Sequence, residues 1–330
     1  GHMKRLLNTL FILSEGTYLS LQDENVVINS EDGSRRQLPL LGIENIFCFS
    51  YKGASPALVG ECAKRGIGLT FLTPNGRFLA RVSGRSHGNV LLRKVQYKVS
   101  DSPEKSCLVA GCFIFGKIYN SRWCLERTVR DHAMRVDVEA LKNASQFLAS
   151  TSKKVLDTTS LDTLRGLEGE AATSYFKVFD EMIINQKDAF KFTVRSRRPP
   201  LDRVNAMLSF GYSILASDCA GALESAGLDS YVGFMHRDRP GRESLALDLM
   251  EELRSVFVDR LVVSMINTRA ITEKQFDKFE NGAVMLNDAG RKVFLSAWQG
   301  KKREEIKHPY LKEKIQWGLV PYVQSLLFAR

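Results

Sequence analysis

Residues 85–100, RSHGNVLLRKVQYKVS, divide the chain into two patterns. Before them, apolar residues fall in short β-prone runs separated by turn residues; from Val90 onward they recur at helical spacing almost throughout. Upstream, residues 8–49 are predicted as strands: TLFILS, then GTYLSLQ and NVVINS separated by Asp23-Glu24, then RRQLPL and ENIFCF. Ser55–Lys64 reads as a helix with Pro56 in its first turn. GIGLTFLT and GRFLARVSG return to strand, joined by Pro74-Asn75-Gly76. Downstream, helices are predicted over 90–100, 105–120, 123–149, 160–187, 202–226 and 244–266. Thr272 with Gln275 makes a capping box, Asn281-Gly282 a turn, and 289–298 and 310–328 two further helices. His308, in the charged GKKREEIKHP between those helices, reads as an exposed loop residue. The expected fold is therefore α+β: a small N-terminal β-domain over 3–85, a linker over 86–92 with a solvent-facing His87, and a larger all-helical catalytic domain over 93–330.

A chain of 330 residues with 44% hydrophobic content can bury a large core and form two domains. No apolar run approaches the roughly 20 residues of a membrane span, so no membrane partner is expected. Gly1-His2-Met3 reads as the remnant of a cleaved tag with no signal peptide after it, which leaves His2 out of site reasoning and predicts a soluble, cytoplasmic protein. The six cysteines are scattered without a C-x-x-C pair, as reduced small hydrophobes rather than zinc ligands or disulfide staples. A formal net charge of +10 biases the surface toward a polyanion.

That charge is concentrated in two places. KFTVRSRRPPLDR, 191–203, sets Lys191, Arg195, Arg197, Arg198 and Arg203 against a single Asp202, and Pro199-Pro200 keeps it from being helical. Arg237, Arg239 and Arg242 form a second cluster around His236. Guanidinium groups make bidentate bonds to phosphate, so both clusters suit a nucleic-acid backbone; a solvated basic loop is the plainer reading. The apolar segment that follows, 201–226, carries Asn205, Ser209, Tyr212 and Ser213, polar groups that need partners if that helix is buried.

Two stretches carry candidate chemistry. In 227–254, GLDSYVGFMHRDRPGRESLALDLMEELR, Gly227, Gly233, Pro240 and Gly241 place His236 on irregular backbone, and Ser244 caps a helix running to Val263. Asp248 and Glu251, three apart, share a face of that helix near the loop, so one nitrogen and two oxygens can converge on a divalent cation. The alternative is that Asp248, Glu252, Ser255 and Asp259 form a solvated polar stripe. In 160–182, SLDTLRGLEGEAATSYFKVFDEM, Gly166 and Gly169 interrupt a helix at about 1 kcal/mol each, which predicts close backbone approach. Glu168 lies between them, with Ala172 and Tyr175 on its face, partly desolvated unless a cation meets it; the alternative is an exposed pair with Arg165.

The blocks G-L-E-G-E-A-A-x-x-Y-F at 166–176, N-A-M-L-S-F-G-Y at 205–212, and G-F-M-H followed by S-L-A-L-D-L-M-E-E-L-R at 233–254 resemble, in order and spacing, the signature blocks of the CRISPR-associated integrase family. The resemblance covers nearly the whole chain and is nearest the type I-C branch. It implies a metal-dependent DNA endonuclease and integrase that inserts new spacers into a CRISPR array by 3′-OH attack on the repeat phosphodiester. It places the metal ligands and catalytic residues on Glu168, His236 and Glu251, with Asp248 as an additional acidic position. Such a mixed oxygen and nitrogen set suits Mn²⁺ or Mg²⁺. The implied partners are double-stranded DNA, both protospacer and repeat, a small companion protein and a second copy of the chain in a homodimer. Arg195, Arg197, Arg198, Arg237, Arg239 and Arg242 are the expected DNA contacts, with Tyr175, Asn205 and Tyr212 in support. A non-catalytic basic nucleic-acid-binding scaffold, in which the same carboxylates and histidine form an internal polar cluster, is the competing reading.

Overall fold

The computed structural model describes residues 3–74, 77–82, 88–236 and 239–330. The strand-rich beginning holds eight strands: β1 (Met3–Leu6), β2 (Thr9–Ile12), β3 (Tyr18–Gln22), β4 (Asn25–Asn29), β5 (Arg35–Pro39), β6 (Asn45–Cys48), β7 (Gly68–Leu72) and β8 (Phe78–Val82), with helix α1 (Pro56–Arg65) between β6 and β7. They form a five-stranded sheet in the order β1-β2-β6-β7-β8 and a separate antiparallel meander, β3-β4-β5. Leu7 and Asn8, both at positive φ, close the β1–β2 hairpin, a conformation that suits the twist of the flanking strands. The parallel β6–β7 pair is bridged by α1, where Ser55 accepts a hydrogen bond from Leu58 N and Gly66, at φ 72°, ends the helix. Leu10, Ile12, Leu19, Val26, Ile46, Leu58 and Leu69 meet in the core between sheet, meander and α1.

The remaining helices are α2 (Gly88–Asp101), α3 (Pro103–His132), α4 (Val138–Leu156), α5 (Leu161–Lys177), α6 (Arg203–Ser225), α7 (Ser244–Leu253), α8 (Arg260–Asn267), α9 (Asp288–Arg303) and α10 (Val320–Phe328). The chain groups into two compact units: residues 1–98, 217–232 and 307–330 in one, and residues 99–216 and 233–306 in the other. In the second unit α3 packs against α4, α5 and α7.

Several expectations are corrected. The region after the strands is mostly but not wholly helical, because β9 (Phe276–Lys278) pairs with β10 (Val284–Leu286), and β11 (Glu305–Lys307) with β12 (Lys314–Gln316). The β9–β10 turn is the expected Asn281-Gly282, and the capping box of Thr272 and Gln275 is present. α3 runs unbroken through Ser121-Arg122 and stops instead at His132, and the next helix starts where Asp137 accepts a hydrogen bond from Ala140 N. α2 occupies most of the stretch expected as a linker, and His87 lies outside the described residues, as do Asn75 and Gly76. Only the end of 310–328 is α-helical. His308 is 7% exposed, its ring nitrogen 2.7 Å from Gln324 Oε1, so it is a packed residue rather than a surface one. Among the described residues α6 is, by length and composition, long enough to cross a membrane, contrary to the expectation of no such run; 61% of its most apolar window is buried inside the protein, as in a core helix.

Candidate active site

His236 is held by a carboxylate buried beneath it. Asp248, on the first turns of α7, is fully buried, and its Oδ2 accepts from Phe234 N at 2.6 Å and Met235 N at 3.0 Å. Its Oδ1 accepts from His236 N at 3.0 Å and also meets His236 Nδ1. Backbone this irregular has no ladder to satisfy its N–H groups, so one carboxylate does so for three successive residues. Gly233 is required there, because a Cβ would lie 2.8 Å from Asp248 Oδ2 and 3.0 Å from the His236 carbonyl oxygen. Arg165 closes the loop from α5 by donating to the Met235 carbonyl at 2.8 Å. With Nδ1 facing Asp248, the other ring nitrogen, Nε2, is left 4.0 Å from Glu251 Oε1.

Glu168 and Glu251 face each other across a single ammonium group. Lys117, on α3, donates to Glu168 Oε1 at 2.5 Å and lies 2.6 Å from Glu251 Oε2. Arg254 Nη2 sits 3.3 Å from the other oxygen, Glu251 Oε1. Glu251 is 5% exposed, and although burial opposes its charge, Arg254 and Lys117 outweigh burial and hold its carboxyl at about 2. Glu251 Oε2 is shut off from solvent with no well-aligned hydrogen bond, and Lys117 meets it as an ion pair. Arg165, the partner considered for Glu168, instead pairs with Asp162 at 3.2 Å. The glycines beside Glu168 do not mark a close approach, since a Cβ at Gly166 or Gly169 would meet nothing within 4 Å; that face of α5 is open.

Behind this group the helix widens into a π-helical turn, Arg254–Asp259, before α8. The polar stripe along it is mostly not solvated: Asp248, Ser255 and Asp259 are buried, and Glu252 is half-buried. Asp259 accepts from Tyr175 Oη at 2.7 Å and from Tyr212 Oη at 2.5 Å, and burial still raises its carboxyl above the usual range. Arg254 lies over the Tyr212 ring at 4.8 Å and Arg195 at 5.4 Å. Asn205, also buried, accepts from Ser196 N and Arg195 Nη1 and donates to the Val194 carbonyl and Asp202, so all the polar groups expected on α6 find partners.

The structure thus brings Glu168, His236, Glu251 and Asp248 together, with Tyr175, Asn205 and Tyr212 in the layer behind. Among the described residues, no three of the His, Cys, Asp and Glu side chains form a ready-made metal cage. Arg197 and Arg198 are exposed, Arg197 at the edge of a cavity of about 30 Å³ that Lys117, Glu168, Tyr212 and Arg254 also line; a cavity of that size takes ordered water and excludes a nucleobase. Arg195 is turned inward by its bonds to Asn205 and Ser209. Arg239 is exposed on a tight turn closed by Arg242 N on the Arg239 carbonyl, and Arg237 lies outside the described residues. Lys117 and Arg254 were missed from the sequence. Lys117 had a signal, being the only charged residue between Lys105 and Arg122.

The family model described as "CRISPR associated protein Cas1" matches residues 10–300. The chain belongs to the Cas1 family. A curated relative, the CRISPR-associated endonuclease Cas1 1 of Chlorobaculum tepidum, is 47% identical over 328 residues, covering 99% of this chain and 96% of the relative. Of the solved Cas1-like structures, a casposase bound to integration product superposes with a TM-score of 0.80 at 22% identity, over 97% of this chain and 94% of that one. A partial Cas6-RT-Cas1–Cas2 complex gives 0.74 at 21% identity, over 97% and 93%. These two likenesses establish the fold, a strand-rich beginning followed by a mostly helical Cas1 body.

Proposed function

We propose that this Cas1-family chain is a divalent-metal-dependent DNA endonuclease and integrase that inserts spacers into a CRISPR array, a DNA 3′-OH attacking the repeat phosphodiester. The observation that carries the reading is the convergence of Glu168 and Glu251, from two different helices, on one cationic centre beside the His236 ring. The donor set fits the group: two carboxylates and an imidazole suit Mn²⁺ and, with more retained water, Mg²⁺, and Glu251 Oε2 is a buried oxygen without a well-aligned hydrogen bond. A bound cation supplies charge neutralisation at the scissile phosphate and acidifies the attacking hydroxyl.

The chain's own residues do the rest. His236 donates its Nδ1–H to Asp248, which leaves the Nε2 lone pair facing Glu251; with both oxygens already engaged, Asp248 acts here as the residue that orients His236 rather than as a ligand. Arg197, Arg198, Arg239 and Arg242, with Arg237, bind phosphate, whereas Arg195 braces Asn205. Names of relatives support the substrate and partner: an endonuclease, a protein bound to integration product and an assembly with Cas2. Cytoplasmic location, the type I-C branch and a homodimer, which sedimentation at micromolar concentration checks, belong to the same reading.

The test is strand transfer into repeat DNA with the small companion protein present, in Mn²⁺ and in EDTA. Transfer that persists in EDTA removes the proposal. One observation favours the non-catalytic scaffold: Lys117 already pairs with both carboxylates and Arg254 with one of them, so the charges balance internally. A scaffold binds DNA equally in Mn²⁺ and EDTA and transfers no strand in either.

Arg197→Ala with Arg198→Ala is expected to weaken duplex binding and lower the slope of log K against log salt by about 0.9 for each phosphate that is no longer neutralised. Binding isotherms over a salt series measure it, and an unchanged slope would show that this loop does not touch the backbone.

A further inference from the structure

Lys117 sits between Glu168 and Glu251, where a cation held by both carboxylates would have to bind. Its nitrogen is 2.5 Å from one carboxylate and 2.6 Å from the other, so a divalent cation held by both would compete with it for the same space. Two cations at one locus repel strongly in a site with little solvent. The two partners of Glu251 differ in kind. Arg254 is a planar guanidinium held on Glu251 Oε1 and stacked on Tyr212. Lys117 is a compact charge on a flexible four-carbon stem, lining the small cavity that Arg197 also lines. Lys117 is the partner free to leave.

We propose that Lys117 is the resident counter-ion of the metal-free site and competes with the divalent cation for Glu168 and Glu251, so that loading swings its ammonium out of the carboxylate pair. The inference rests on the metal-site reading above. In the metal-free protein Lys117 prevents two converging carboxylates from repelling each other; in the loaded protein it is displaced, while Arg254 stays. A residue that instead held the carboxylates in place for the metal would have the opposite effect on affinity when removed.

The experiment is Mn²⁺ binding to the purified full-length chain without DNA, by electron paramagnetic resonance of free Mn²⁺, for the wild type and Lys117→Met. The variant is expected to bind Mn²⁺ about tenfold or more tightly, since its binding no longer breaks hydrogen bonds between charged groups. Equal or weaker binding overturns the proposal. If Lys117→Met does not fold, the wild type decides: acylation of Lys117 by an amine-reactive ester, read by peptide mass spectrometry, rises on Mn²⁺ saturation while that of exposed Lys191 stays constant. Unchanged Lys117 acylation at saturation also overturns it. If neither protein binds Mn²⁺, the metal-site reading itself falls and takes this inference with it, an outcome distinct from equal binding by both.

Discussion

Alanine at Glu168 or at His236 is expected to cut metal-dependent strand transfer and nuclease activity by more than about 100-fold while leaving DNA binding in place. The lower bound comes from metal sites in which loss of a mere second-layer partner already costs about 10–100-fold. These two positions give the cleanest test because each is partly open to solvent. Glu168→Ala leaves Lys117 still paired with Glu251, and His236→Ala leaves Asp248 its three backbone partners. Glu251→Ala is a poorer test although the same activity loss is expected, because it strands the largely buried Arg254 and costs about 3–5 kcal/mol of stability by breaking a mostly buried ion pair. Strand transfer, filter binding and thermal melting on the same preparations separate the readings. A His236→Ala protein that integrates DNA at the wild-type rate would sink the assignment, and variants that melt early in a protein with no transfer activity would favour the scaffold.

Asp248→Ala should have the larger effect on the fold. Three backbone N–H groups lose their acceptor at once, each at about 1–3 kcal/mol when left buried and unpaired, so the loss is expected to reach at least about 3 kcal/mol. Activity falls with it, because the His236 ring loses the group that sets its tautomer and orientation. Asp248→Asn keeps one carbonyl acceptor and should fall between the wild type and alanine. Denaturant unfolding followed by tryptophan fluorescence measures the difference. An Asp248→Ala protein as stable as the wild type would show that the 233–236 loop does not depend on this carboxylate.

The strands, α1 and the long helices were legible because their information is local: alternation, a Ser55-Pro56 start, and three-to-four spacing. Helix ends were less so. Nothing at Ser121-Arg122 forbids a helix, and the break at 133–137 has no glycine or proline, only the cap at Asp137. The candidate site residues were picked out by the motif blocks, yet their surroundings depend on which helices meet. Lys117 and Glu251 are far apart in sequence, and no periodicity announces that one ammonium serves two carboxylates. The alternative of a solvated polar stripe along α7 and the π-helical turn fails for a related reason: its spacing is that of a surface, but Asp259 is buried against two tyrosines from other helices. Glycine was read in the wrong place as well, since only the packing reveals that Gly233, and not Gly166 or Gly169, is crowded beside the site.

The unit that begins the chain also needs its end. α10 sends Tyr322 into the aromatic cluster of the first sheet, its ring 5.6 Å from Phe47, 5.7 Å from Phe49 and 6.3 Å from Phe11. A ribosome delivers β2 and β6 some 300 residues before it delivers Tyr322. Through most of synthesis the apolar side of that sheet therefore waits for its last ring, and contacts of such long sequence separation form late. The nascent protein is thus exposed to chaperones and to sticking at Phe11 and Phe47, and a fragment ending near residue 85 retains that exposure permanently.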